Sequence, residues 1–139
     1  MSNEETSKRV YLVRHGDYNA HSGSITVRGR QDLLWSGEEI SEDLGDVGKI
    51  VIYHSPQIRA VESAEVLAEA LSSKEVDLQE RYELDIRKGL VGDVVKDVDK
   101  SGILVGHLED LGMFALSQGS RTYTVNPGEF WRIELEGGE

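Results

Sequence analysis

Three short apolar runs, each stopping at a histidine, constrain this chain more than any other feature. Val10-Tyr11-Leu12-Val13 ends at Arg14-His15-Gly16, Lys49-Ile50-Val51-Ile52-Tyr53 at His54-Ser55-Pro56, and Gly102-Ile103-Leu104-Val105-Gly106 at His107. Runs this short and this rich in branched residues predict strands buried on both faces, as parallel sheets require. Between the first two, Thr26 to Leu44 places Leu33, Ile40 and Leu44 at helical spacing, with Gly29 and Gly37 interrupting it. After the second, Ser55 suits an N-cap and Pro56 a first helical residue. That helix would run to about Leu71 with Ala60, Ala64, Leu67 and Leu71 as its stripe. A short strand is expected within 76–84, a short helix over 93–99 and a helix over 109–118. Residues 122–125 and 130–135 flank the turn signal Asn126-Pro127-Gly128 and read as an antiparallel pair. The alternation predicts an α/β fold, a three-layer sandwich with a mostly parallel central sheet and an antiparallel C-terminal strand pair. Residues 1–8 read as a disordered tail and 9–136 as a single domain, as expected for 139 residues. Trp35 and Trp131 are expected in or against the core, and the glutamates of 38–42 and 62–69 on solvated helix faces.

Charge and cysteine content remove whole classes of function. The formal net charge is -11, from 26 acidic and 15 basic residues. Nucleic acid and anionic membrane surfaces would be repelled. No cysteine is present, which excludes disulfides, thiolate metal sites and cysteine nucleophiles. The polar start of the chain has no signal-peptide core, and a cytoplasmic location is the expectation.

Ligands of open α/β sheets bind beyond the carboxyl ends of the strands. His15, His54 and His107 all stand at such ends, with Arg14 beside His15 and Arg59 one turn into the helix after the second strand. Arginine forks match phosphate geometry, and a helix N-terminus adds free N–H groups and partial positive charge. No glycine-rich phosphate loop and no metal-ligand spacing such as H-E-x-x-H is present. A phosphate site built from side chains, with neither metal nor cofactor, is the resulting expectation.

Leu12-Val13-Arg14-His15-Gly16, Ser55-Pro56-Gln57-Ile58-Arg59-Ala60 and Val105-Gly106-His107, in that order, resemble the signature blocks of the histidine phosphatase superfamily, the phosphoglycerate mutase-like proteins. Ser63-Ala64 fits the second block. The small size, the Arg-His-Gly-Asp start, Thr26-x-x-Gly29 and His107-Leu108 are most similar to the SixA-type phosphohistidine phosphatases. The resemblance implies that His15 is a nucleophile that becomes phosphorylated, and that Arg14, Arg59 and His107 complete the phosphate pocket. Gly16 and Asn19 are further candidates for substrate contact. His21 is a loop residue or a contact, and His54 is structural or at the rim.

One departure bears on the substrate. Mutase-like members carry a glutamate proton donor in mid-chain, where this sequence has Asp85 followed by Ile86 and Gly89. Asp85 is therefore the candidate general acid, and a short one. An alkoxide must be protonated as it leaves, whereas imidazole is a good leaving group. The expected substrate is phosphohistidine on a partner protein, such as a histidine phosphotransfer domain. The alternatives are a small phosphate ester or a phosphate-binding module without catalysis.

Overall fold

A computed structural model describes residues 7–122 and 124–136. The elements run β1 (Lys8–Arg14), α1 (Val27–Leu44), β2 (Lys49–His54), α2 (Ile58–Ala70), β3 (Glu75–Glu80), a 3-10 turn (Tyr82–Leu84), α3 (Val91–Val95), β4 (Ser101–Gly106), α4 (Leu108–Ser117) and β5 (Phe130–Leu135). They build a five-stranded sheet in the order β3-β2-β4-β1-β5. The pairings β2–β3, β2–β4 and β1–β4 are parallel, and β1–β5 is antiparallel. Among the described residues no helix is long and apolar enough to cross a membrane.

The period of two along each buried strand separates two cores. Tyr11, Val13, Ile50, Ile52, Ile103 and Val105 face α1 and α2, which contribute Leu33, Ile40, Ala64 and Leu67. Val10, Leu12, Tyr53 and Leu104 face the other way, against Val91, Val94 and Val98, Leu111 and Ala115 of α4, and Trp131 and Ile133 of β5. The result is the expected three-layer sandwich. Tyr11 is fully buried because its hydroxyl finds a partner in donating to Asp43 Oδ2.

Several boundaries differ from the sequence expectation, each for a local reason. Lys8 belongs to β1 rather than to a tail, and its ammonium donates to Val95 O; residues 1–6 lie outside the described residues. The helix expected at Pro56 starts at Ile58, because Ser55 to Gln57 form a turn in which Gln57 N–H donates to Ser55 Oγ at 3.2 Å. The third helix starts at Val91, so that Val91, Val94, Val95 and Val98 all reach the core. Residues 122, 124 and 125 form no strand, and Tyr123 lies outside the described residues. The Asn126-Pro127-Gly128 turn is present, but Gly128 N–H donates to Arg14 O and His15 O. The turn thus docks on the end of β1 and feeds β5 along that strand, pairing Leu12 with Trp131. Trp131 is buried as expected, whereas Trp35 is 61% exposed, on the solvent side of α1. Glu62 is only half-solvated: its carboxylate accepts from Ile25 N–H and Ser24 Oγ–H.

Helices α1 and α2 cross where Gly37 meets Ala70. A Cβ on Gly37 would lie 2.5 Å from Ala70 Cβ, with both atoms fixed to helix backbones. Gly37→Ala gains up to about 1 kcal/mol of helix propensity but incurs an overpacking cost of roughly 1–3 kcal/mol. We expect net destabilisation in chemical denaturation. Gly48→Ala, whose Cβ would meet nothing within 4 Å, serves as the neutral control.

Candidate active site

Strand order brings the predicted site residues together. β4 lies between β1 and β2, so the residues that follow these strands are neighbours. His15 N–H donates to Gly106 O at 3.0 Å and Ser55 N–H to Val105 O at 3.1 Å. His107 follows directly as the cap residue of α4. The rings of His15 and His107 stand edge to face with centroids 5.2 Å apart, and both side chains are buried.

His15 is held in one tautomer. Its Nδ1 lies 3.0 Å from Gly16 O. A carbonyl oxygen can only accept, so Nδ1 carries the proton and Nε2 keeps its lone pair. Burial, reinforced by Arg59 and Arg14, pushes His15 below the usual histidine range, against the opposing effect of the Gly16 bond. The ring is therefore neutral near pH 7. His107 is pushed down to about 4 by burial, His15 and Arg59, with Asp85 pulling the other way. Its Nε2 is hydrogen-bonded to Ser55 Oγ at 3.0 Å.

The two arginines are held without neutralisation. Arg14 Nη1 donates to Val125 O at 2.8 Å, and burial lowers its affinity for a proton. The Nε groups of Arg14 and Arg59 are buried without a hydrogen-bond partner, and neither guanidinium forms an ion pair among the described residues. Glu62, one turn beyond Arg59, would be its natural partner, but that carboxylate is engaged by the 24–25 backbone and side chain. Buried donors are seldom left unpaired. Two such donors converging with two imidazoles describe a site for a tetrahedral oxyanion.

The remaining residues frame this cluster. Gly16 N–H donates to Ser63 Oγ at 2.9 Å, and that hydroxyl donates to Arg59 O at 2.6 Å, tying the loop after β1 to α2. Gly29 lets α1 touch the same loop: a Cβ there would lie 2.4 Å from Asp17 O. Thr26 caps α1, accepting from Gly29 N–H and donating to Asp17 Oδ2. Asn19 is exposed and uses its Oδ1 to accept from His21 N–H and Ser22 N–H, which shapes its own loop. His21 is exposed in the same loop. His54 is buried, with Nδ1 near Ser55 O. Asp85 Oδ1 accepts from Gln57 Nε2 and Ile86 N–H, which hold its carboxyl below the usual range. Tyr18 is a member of the site that the sequence reading missed: Arg59 lies 4.6 Å over its ring, and His15 packs against it at 5.4 Å. Ser55, a cap candidate and the first residue of the second signature block, is also His107's hydrogen-bond partner. Among the described residues no group of three or more ligating side chains could hold a metal ion. Cavity volume alone would have pointed elsewhere, since clefts of about 590 and 710 Å³ contain none of Arg14, His15, Arg59 and His107.

No protein-family model matches the sequence, and no curated protein matches it. Solved structures do match the fold. A phosphoglycerate mutase from Plasmodium falciparum superposes with a TM-score of 0.69 at 20% identity, over 95% of this chain and 85% of that one. The protein histidine phosphatase SixA, complexed with tungstate, gives 0.68 at 18% identity, over 90% and 96%. A mycobacterial glucosyl-3-phosphoglycerate phosphatase complexed with VO3 gives 0.63 at 14% identity, over 90% of each chain. The chain has the phosphoglycerate mutase-like fold, which it shares with SixA.

The depressed histidine sets a pH dependence. An unfolded histidine binds its proton near pH 6.5, and folded His107 only at about 4. Between those values the unfolded state binds more protons, so stability falls as pH drops from about 6.5 to about 4 and this contribution levels off below. The loss is on the order of 3 kcal/mol for this group. In denaturation series across that window, His107→Asn should lose less stability than the parent. Saturating sulfate, which favours the imidazolium, should also flatten the parent's curve; equal slopes for parent and variant would refute this assignment.

Proposed function

We propose that this chain is a phosphatase that removes phosphate from histidine on a partner protein through a phospho-His15 intermediate. One observation carries the reading: a neutral His15, with Nε2 left as its free lone pair, sits beside two guanidinium groups whose Nε atoms are buried without a partner and which form no ion pair among the described residues. Phosphoryl transfer needs chiefly positioning and charge stabilisation. His15 Nε2 attacks phosphorus in line and the substrate's P–N bond breaks; its electron pair goes to the departing ring nitrogen, and the substrate ring, already protonated on its other nitrogen, leaves as neutral imidazole while His15 keeps its Nδ1 proton. Arg14 and Arg59 meet the equatorial oxygens. His107 donates a hydrogen bond to the anion, or takes a proton that the anion's charge favours. Water then attacks phospho-His15, and inorganic phosphate leaves with the imidazole restored.

Asp85 supports a nitrogen-linked substrate. Gln57 and the Ile86 N–H stabilise it as a carboxylate, which makes it a poor proton donor. Imidazole leaves with little acid assistance, and an alkoxide does not. The fold is shared with phosphatases of both kinds of substrate, so the bond cleaved has to be decided by turnover. The test is kcat/KM on a phosphohistidine protein, an aryl phosphate and an alkyl phosphate. We expect the first to be favoured and His15→Ala to abolish it. Asp85→Asn should lower phosphohistidine turnover by less than the roughly hundredfold of a lost general acid, and slow the alkyl ester more. A hundredfold loss on phosphohistidine, or a preference for the alkyl ester, would overturn the substrate assignment. Oxyanion binding without turnover of any substrate would leave a phosphate-binding module.

A further inference from the structure

We propose, resting on the phosphate-site reading above, that Tyr18 is a positioning residue whose ring face holds Arg59 over the site while leaving the guanidinium's hydrogen bonds for the anion. The Arg59 guanidinium carbon lies 4.6 Å from the ring centroid, the geometry of a cation–π contact. The same ring packs edge to face against His15, with centroids 5.4 Å apart. Tyr18 therefore touches the nucleophile and one of its two cations at once. Its backbone is fixed by the bridge to Ile25, which closes the loop after β1.

The kind of contact matters. A carboxylate facing Arg59 would engage the fork with two hydrogen bonds and would have to be displaced by the substrate. A ring face attracts the cation through its quadrupole and uses none of the N–H donors. The structure withholds the obvious carboxylate from Arg59: Glu62 accepts instead from Ile25 N–H and Ser24 Oγ–H. That bonding also anchors the loop to α2 independently of the Tyr18 side chain, and the Asn19 Oδ1 bonds shape the loop from within. Replacement of the ring should thus disturb the cation and leave the loop in place. Tyr18 is 37% exposed, so its removal opens no large cavity in the core.

The test is calorimetric titration with inorganic tungstate, alongside thermal unfolding of each variant. Tyr18→Leu should bind tungstate roughly three- to tenfold more weakly with an unchanged unfolding midpoint, the range expected when a cation–π contact is lost. Tyr18→Phe keeps the ring face and should stay within about twofold of the parent. In an Arg59→Gln background, where no cation needs holding, the Tyr18→Leu loss should shrink to less than about twofold, the signature of direct coupling in a double-mutant cycle. Equal affinity of the parent and Tyr18→Leu would overturn the proposal. So would an equal loss in Tyr18→Phe, which would assign the effect to the hydroxyl, or an undiminished loss in the Arg59→Gln background. Failure of the parent chain to bind tungstate would remove the phosphate-site reading itself, and the positioning role with it.

Discussion

Two guanidinium groups without an ion-pair partner among the described residues stand with two imidazoles at one end of a buried sheet, where their charge opposes a proton on either ring. Burial first, and the neighbouring positive charges second, push both imidazoles toward neutrality, and burial weakens the protonation of Arg14. Glu62 is engaged on the 24–25 segment, and Asp85, whose charge reaches His107, is hydrogen-bonded to Gln57 and Ile86. A tetrahedral oxyanion entering this site would supply the missing negative charge. The overall charge of -11 makes the local positive potential the more specific, because anions are repelled from the rest of the surface.

The fold holds this arrangement against its own repulsion. Of the three strands that carry the cluster, β1 and β4 are fully buried through Val10 to Val13 and Ile103 to Val105, and β2 buries Ile50, Ile52 and Tyr53, with cores on both faces. Backbone bonds across the strand ends fix His15 and Ser55 to β4, and the Gly16–Ser63–Arg59 chain links the loop after β1 to α2. Interiors packed in this way deform little, so charges fixed at the strand ends cannot drift apart. Close approaches at Gly16 and Gly29, where a Cβ would strike Leu33 and Asp17, seat the loop on α1.

What was legible in the sequence follows from the range of each interaction. Strands and helices follow local periodicity, and His15, Arg14, Arg59 and His107 could be placed because each stands at a fixed offset from such an element. The partners of β5 and of Glu62 could not be read, since both are chosen by tertiary contacts: β5 joins β1 because Gly128 docks on its end, and Glu62 turns to a loop distant in sequence. Tyr18 was passed over because an aromatic residue in a polar loop carries no pattern until Arg59 is brought above it. Trp35 misled for the opposite reason: its size suggested the core, but its position on α1 faces solvent.

The central claim is that His15 itself receives the phosphoryl group. Its most direct test is brief mixing with phosphoramidate, a small N–P donor that needs no partner protein, followed by an alkaline quench and mass mapping. One added phosphoryl group per chain is expected, acid-labile and located on His15, with none in His15→Ala. Phosphoryl transfer to water at full rate with no label on His15, or label on another residue, would contradict it.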